Sequence, residues 1–131
     1  MERTDIGPRM FGDRLGYNHA VLVENPRRWL LVAGHEARAD DGAIAHAGDI
    51  RAQIKLTFQR LEETLEKAGF TLSDVVQIRV FTLDIDAVTT HYDAITEALA
   101  HANCRPVSLL AQVGALSDAR MLIEIEAVAV Q

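Results

Sequence analysis

The sequence predicts an α+β domain in which two helices cover one face of a β-sheet. Three observations predict it. Apolar residues recur at helical spacing in two segments, and five or six β-type segments surround them in the order β-β-(β)-α-β-α-β-β. The chain has 131 residues, 49% hydrophobic and 24% charged, which suffices for one core and not for two, so it reads as a single domain spanning residues 1–131. With only one layer of helices available, the second face of the sheet stays uncovered within a single chain.

Residues 20–24 and 29–34 are short apolar runs separated by the turn-forming interval Asn25-Pro26-Arg27-Arg28, and they read as a hairpin. Residues 36–48 turn to Ala, Asp and Gly, with Asp41-Gly42 as a turn signal; a weak strand at 43–45 is the most regular structure expected there. Ile50, Ile54, Phe58, Leu61, Leu65 and Ala68 then recur every three or four residues. Asp49 stands ready to cap this amphipathic helix and Gly69 to stop it. Residues 75–83 are β-branched and apolar enough on both sides to read as a central strand. Val88, Tyr92, Ile95 and Leu99 mark the second helix, whose other face carries Thr90, Asp93 and Glu97.

Residues 107–113 and 121–130 are the last two strands. In the closing strand Ile123, Ile125, Ala127 and Ala129 point one way, while Leu122, Glu124, Glu126, Val128 and Val130 point the other. The second row mixes carboxylates with apolar side chains. Such a face, left open by the helices, is expected to meet another subunit in a symmetric oligomer.

Composition narrows the function classes. Nineteen acidic against 13 basic side chains give a net charge of −6, and no basic run interrupts the chain, so no nucleic-acid partner is expected. The longest uncharged stretch, residues 106–117, falls well short of the about 20 residues that a membrane-spanning helix needs, so no membrane partner is expected either. Cys104 is the sole cysteine and the first residues are charged, which suits a cytoplasmic protein. No Gly-x-Ser-x-Gly elbow, glycine-rich phosphate loop or dinucleotide fingerprint occurs, so no cofactor is expected. The five histidines form neither an i, i+4 pair nor a His-Glu-x-x-His run, so no metal site is expected.

A few residues remain as candidates for chemistry. His19 and His35 lie at strand edges close to Tyr17 and Gly34, where one pocket can draw on both; each also fits a solvated loop imidazole. Glu124 and Glu126 share a strand face about 6–7 Å apart. A carboxylate partly desolvated against another subunit would have a raised pKa and serve as a general acid or base, although such pairs are also found fully solvated. Cys104 has Arg105 beside it but no adjacent base, which a nucleophilic thiol needs.

A run of short motifs extends over most of the chain: Gly16-Tyr17-Asn18-His19-Ala20, Val32-Ala33-Gly34-His35, Gly48-Asp49-Ile50-Arg51-Ala52-Gln53, Leu65-Glu66-Lys67-Ala68-Gly69, Asp74-Val75-Val76, Val80-Phe81-Thr82-Leu83-Asp84 and Glu124-Ile125-Glu126-Ala127-Val128-Ala129-Val130. In this order and spacing they resemble the RidA/YjgF superfamily, the reactive-intermediate (enamine/imine) deaminases. The first two stand where that family has Pro-Tyr-Ser-Gln-Ala and Ser-Gly-Gln. The resemblance implies a chorismate-mutase-like fold with a mixed sheet, and a homotrimer that binds a small-molecule substrate or ligand in clefts between its subunits. In the deaminase branch an arginine of a Pro-Ala-Arg-Ser/Thr motif clamps the substrate carboxylate, and a glutamate of the closing strand helps to orient or activate water.

Glu124 stands at that glutamate position and is the expected catalytic residue. Tyr17, His19, Gly34, His35, Arg105 and Ser108 are the expected substrate-binding set. Pro106-Val107-Ser108-Leu109 leaves Ser108 where the family arginine belongs. Arg105 lies three residues earlier, an odd separation that directs it to the opposite face if the strand already includes it. Ser108 replaces a charge-assisted bidentate contact by one neutral hydrogen bond, which disfavours a 2-imino acid. Two expectations follow: a hydrolase of some other imine or enamine, or a trimer that binds a small metabolite without turning it over.

Overall fold

The computed structural model describes residues 1–7 and 15–131. Along the chain run β1 (Glu2–Ile6), β2 (Ala20–Glu24), β3 (Trp29–His35), α1 (Ile50–Lys67), a single 3₁₀ turn (Leu72–Asp74), β4 (Val75–Thr82), α2 (Ile85–Thr90), α3 (Tyr92–His101), β5 (Val107–Gln112) and β6 (Ile123–Val130). The last four strands in this series form a mixed sheet in the order β3-β6-β4-β5. Only β4 and β5 run parallel, the pairing that requires a long crossover, here made by α2 and α3. The α+β architecture therefore follows the expectation.

The hairpin expected over residues 20–34 does not form as such. β2 pairs with β1 in a separate two-stranded ribbon, Ile6 opposite Ala20, while β3 pairs with β6, Trp29 opposite Val130. The backbone N–H groups of Arg27 and Arg28 both donate to the Gln131 carbonyl, at 2.7 and 2.9 Å, so the turn is pinned to the chain end and steers β3 onto β6. An apolar run specifies a strand; it does not name its partner. The weak strand at 43–45 reduces to an isolated bridge between Arg38 and Ile44.

Helix α1 begins and ends where the caps dictate. The Asp49 carboxylate accepts from the Ala52 N–H at 3.1 Å. At the other end Gly69 takes φ +78°, and the Phe70 and Gly69 N–H groups donate back to Leu65 and Glu66, closing a Schellman turn. Ile54, Phe58, Leu61 and Leu65 lie in one core with Ile78, Val80, Ile123, Ile125 and Ala129 of the sheet. Each fully buried Leu, Ile or Phe contributes about 1.5–3 kcal/mol. The second helix is broken in two at His91. The Thr89 and Thr90 hydroxyls donate to the Ile85 and Asp86 carbonyls, and this back-bonding by β-branched residues bends or ends helices.

Gln53, fully buried on α1, joins the loop that precedes α1 to the loop that precedes β6. Its amide nitrogen donates to the carbonyls of Ala45, His46 and Arg120, and its oxygen accepts from the Leu122 N–H at 2.8 Å. These bonds seat the strand that carries Glu124. The sheet face away from α1 is uncovered: Leu31 is 79% and Trp29 62% exposed, and Arg79 pairs with Glu126 at 3.1 Å. Among the described residues, no helix is long and apolar enough to cross a membrane.

Candidate functional site

Two groups of candidate residues emerge, one on each face of the sheet. Ser108 is in register with Ile78, which is in turn opposite Ala127, so its side chain joins the helix-side row. There it lines a cleft of about 510 Å3 together with Tyr17, Thr89, Tyr92, Asp93 and Leu110. Tyr92 opens α3 directly after the helix break, which turns its phenol towards β5. Burial pushes the Tyr92 hydroxyl above the usual tyrosine range; the neighbouring Ser108 hydroxyl offsets part of this and Tyr17 adds to it. The phenol is therefore a neutral hydrogen-bond donor at physiological pH. Asp93 is held below the usual carboxylate range by Arg51, whose two terminal nitrogens each reach a carboxylate oxygen at 2.8 Å.

Glu124 occupies the other face, in register with Phe81. Gly34 makes room for it, because a Cβ there would lie 2.5 Å from the Glu124 Oε1. Partial burial raises the Glu124 carboxyl above the ordinary range, repulsion from Glu36 and Glu126 adds to this, and His35 opposes it. His35 lies beyond a bulge in β3 and turns to the helix side. Its Nδ1 is 2.7 Å from the Ala33 carbonyl, which can only accept, so Nδ1 carries the proton. In the neutral ring, Nε2 then accepts from the Thr64 hydroxyl at 2.7 Å.

The remaining candidates are placed apart from these groups. His19 is exposed at the entry to β2 and does not line the Ser108 cleft. Arg105 precedes β5, which begins at Val107, so strand parity does not decide its direction. Its carbonyl accepts from Arg3 and Asn18, and its side chain lines a neighbouring groove with Arg3, Thr96 and Asn103. Cys104 is buried, and burial pushes its thiol up to about 12, far from a reactive thiolate. No cluster of three or more His, Cys, Asp and Glu that could hold a metal ion occurs among the described residues. Sequence reasoning assigned Tyr92 to the apolar stripe of a helix and missed its place in the cleft. The signal was the Thr89-Thr90 pair before it, which breaks the helix at that point.

The mixed sheet, its crossover helices and its two groups of polar side chains define a small α+β protein with a cleft beside the last parallel strand. The chain belongs to the family described as Endoribonuclease L-PSP, whose model matches residues 11–131, and thereby to the RidA/YjgF superfamily. A RutC family protein of Pyrococcus abyssi is 28% identical over 96% of this chain and 92% of its own. Among solved structures, the Rid-family protein YyfB of Yersinia pestis is 30% identical with a TM-score of 0.85, all of both chains being covered. Rv2704 of Mycobacterium tuberculosis, a member of the YjgF/YER057c/UK114 family, is also 30% identical, with a TM-score of 0.66 and coverage of 99% and 100%.

Proposed function

We propose that the protein is an enamine/imine deaminase-like hydrolase that acts on a small reactive metabolite in clefts between the subunits of a homotrimer. The observation that carries this reading is the raised Glu124 carboxyl, packed over Gly34 on the uncovered sheet face. Ser108 and Tyr17 belong to the opposite side of the same sheet, so a site that uses all three needs the Glu124 face of one copy against the Ser108 cleft of another. The exposed Trp29, Leu31 and Leu109 favour such packing. The buried lone cysteine suits a reducing, cytoplasmic setting.

In this reading, Glu124 takes a proton from water as its oxygen adds to the imine carbon. The C=N π pair moves to nitrogen, which takes that proton from Glu124 to give a carbinolamine. Glu124 then takes the carbinolamine hydroxyl proton and passes it to the nitrogen, the oxygen lone pair closes the C=O bond as the C–N bond breaks, and ammonia and a carbonyl compound leave. A tyrosine hydroxyl of the cleft steadies the nitrogen meanwhile. A net charge of −6 works against binding a phosphate backbone, so a ribonuclease reading is not adopted.

The test is ammonia release from imines generated in situ. Wild-type protein should release it from some imine and lose the activity on Glu124→Ala, while 2-iminopropanoate should be a poor substrate. Ser108→Arg should improve the latter about tenfold to a hundredfold, the effect of a hydrogen bond to a charged group. Saturable ligand binding without any product would favour the alternative, a trimer that binds a metabolite only. The Ser108 hydroxyl in place of a guanidinium is the observation on that side. A mass near 14.4 kDa in light scattering at micromolar concentration would overturn the shared cleft.

A further inference from the structure

Tyr17, Tyr92 and Ser108 bring hydroxyls to the cleft beside the apolar side chain of Leu110, while the Thr89 and Thr96 hydroxyls on its wall donate to backbone carbonyls. Its volume of about 510 Å3 lies within the roughly 300–1,000 Å3 that small-molecule sites occupy. Among the described residues, the carboxylate on its wall is Asp93, which is already answered by the bidentate Arg51. Its charge is thus balanced from outside the cleft. Two phenol rings offer flat apolar faces, and the half-buried, unionised Tyr92 hydroxyl offers a neutral donor.

We propose that this cleft selects a small uncharged ligand, a compact carbon skeleton bearing one neutral imine, amide or carbonyl group, and that the Tyr92 hydroxyl is the group that reads it. Moving a carboxylate into such a site strips its hydration and returns only neutral hydrogen bonds, whereas a neutral polar group loses far less and gains the same bonds. The proposal rests on the reading of this cleft as the ligand site given above, but not on turnover. It names the substrate class that the exchange of arginine for serine leaves open.

Benzamide and benzoate are close in shape and differ in charge, and calorimetric titration of the full chain with each tests the proposal. Benzamide should saturate the protein and bind at least about tenfold more tightly than benzoate. Tyr92→Phe keeps the ring and removes only the hydroxyl; it should weaken benzamide about two- to tenfold, the range of one neutral hydrogen bond. The ratio of the two affinities is the decisive readout, because packing damage would lower both together. Ser108→Arg should shift that ratio towards benzoate. The proposal is overturned if benzoate binds wild type as tightly as benzamide, if neither saturates, or if Tyr92→Phe leaves the affinity for benzamide unchanged. Ammonia release is a separate readout: its absence with the preference intact overturns the hydrolase reading alone, and the converse overturns this proposal alone.

Discussion

The two faces of the four-stranded sheet are built from the same strands and live under different constraints. On the helix side Ile78, Val80, Ile123, Ile125 and Ala129 are buried to about 1% exposure or less. On the other side the intervening positions hold Leu31, Arg79, Glu124, Glu126 and Val128, partly or largely exposed. Stability is concentrated on the first face and the candidate acid–base chemistry on the second. Alternation makes this possible within single strands: Glu124 stands between Ile123 and Ile125, both fully buried, which fix the backbone from which its carboxylate projects.

Substitutions that respect or violate this division should differ most in stability. Ile125→Ala should cost about 2–5 kcal/mol, read as a lower denaturation midpoint with unchanged slope. Leu31→Asp, on the open face, should leave the chain folded by circular dichroism and break up the proposed trimer, read as a lower mass in light scattering. Unfolding of the separated chain by Leu31→Asp would erase the distinction between the faces. Gly34→Ala comes next. Its methyl group takes the space of the Glu124 carboxylate, so ammonia release should fall severalfold while the unfolding free energy changes by no more than about 1 kcal/mol.

Chemical access separates the covered side from the open one in another way. With its thiol pushed up to about 12 and buried, Cys104 should resist iodoacetamide at pH 8 in the native protein and react once denaturant unfolds it. The smallest effect is electrostatic. The Glu124 carboxyl is raised in the folded state, so the folded chain holds more protons than the unfolded one just above the ordinary glutamate pKa of about 4.3. Its contribution to stability is full below that pH and is lost as pH rises through the folded value. Glu124→Gln should therefore gain slightly on wild type across this interval; a pH-independent difference between the two would contradict the raised carboxyl.

Much of the fold was legible because local rules act there without competition. Helix α1 is bounded by its own Asp49 and Gly69, and the parity of β6 is written in its alternating isoleucines and glutamates. What stayed hidden depends on partners distant in sequence. β1 carries Glu2, Arg3 and Asp5, which suit an exposed ribbon and give no apolar alternation to recognise. β3 follows β2 after a plausible turn, yet Gln131 claims the turn and β6 claims the strand.

The site divides in the same way. Glu124 and Gly34 were singled out by motif alone; their packing against each other depends on the β3–β6 pairing, which the sequence did not reveal. Tyr92 was not singled out, since an aromatic residue on an apolar stripe looks alike whether it fills a core or lines a cleft. For Arg105 the parity rule has no hold, because the strand starts two residues later, where the sequence placed it.

The position of β6 also sets an order of events. It lies between β3 and β4, although it comes after every other strand in the chain. During synthesis α1 can coil as soon as its caps emerge, whereas β3 has no sheet neighbour and β4 has only β5 until β6 appears. The nascent chain therefore carries unpaired apolar edges for most of its translation, a state open to chaperones and to self-association. Its folding rate should be governed by the slow, non-local insertion of one late strand into a gap left open for it.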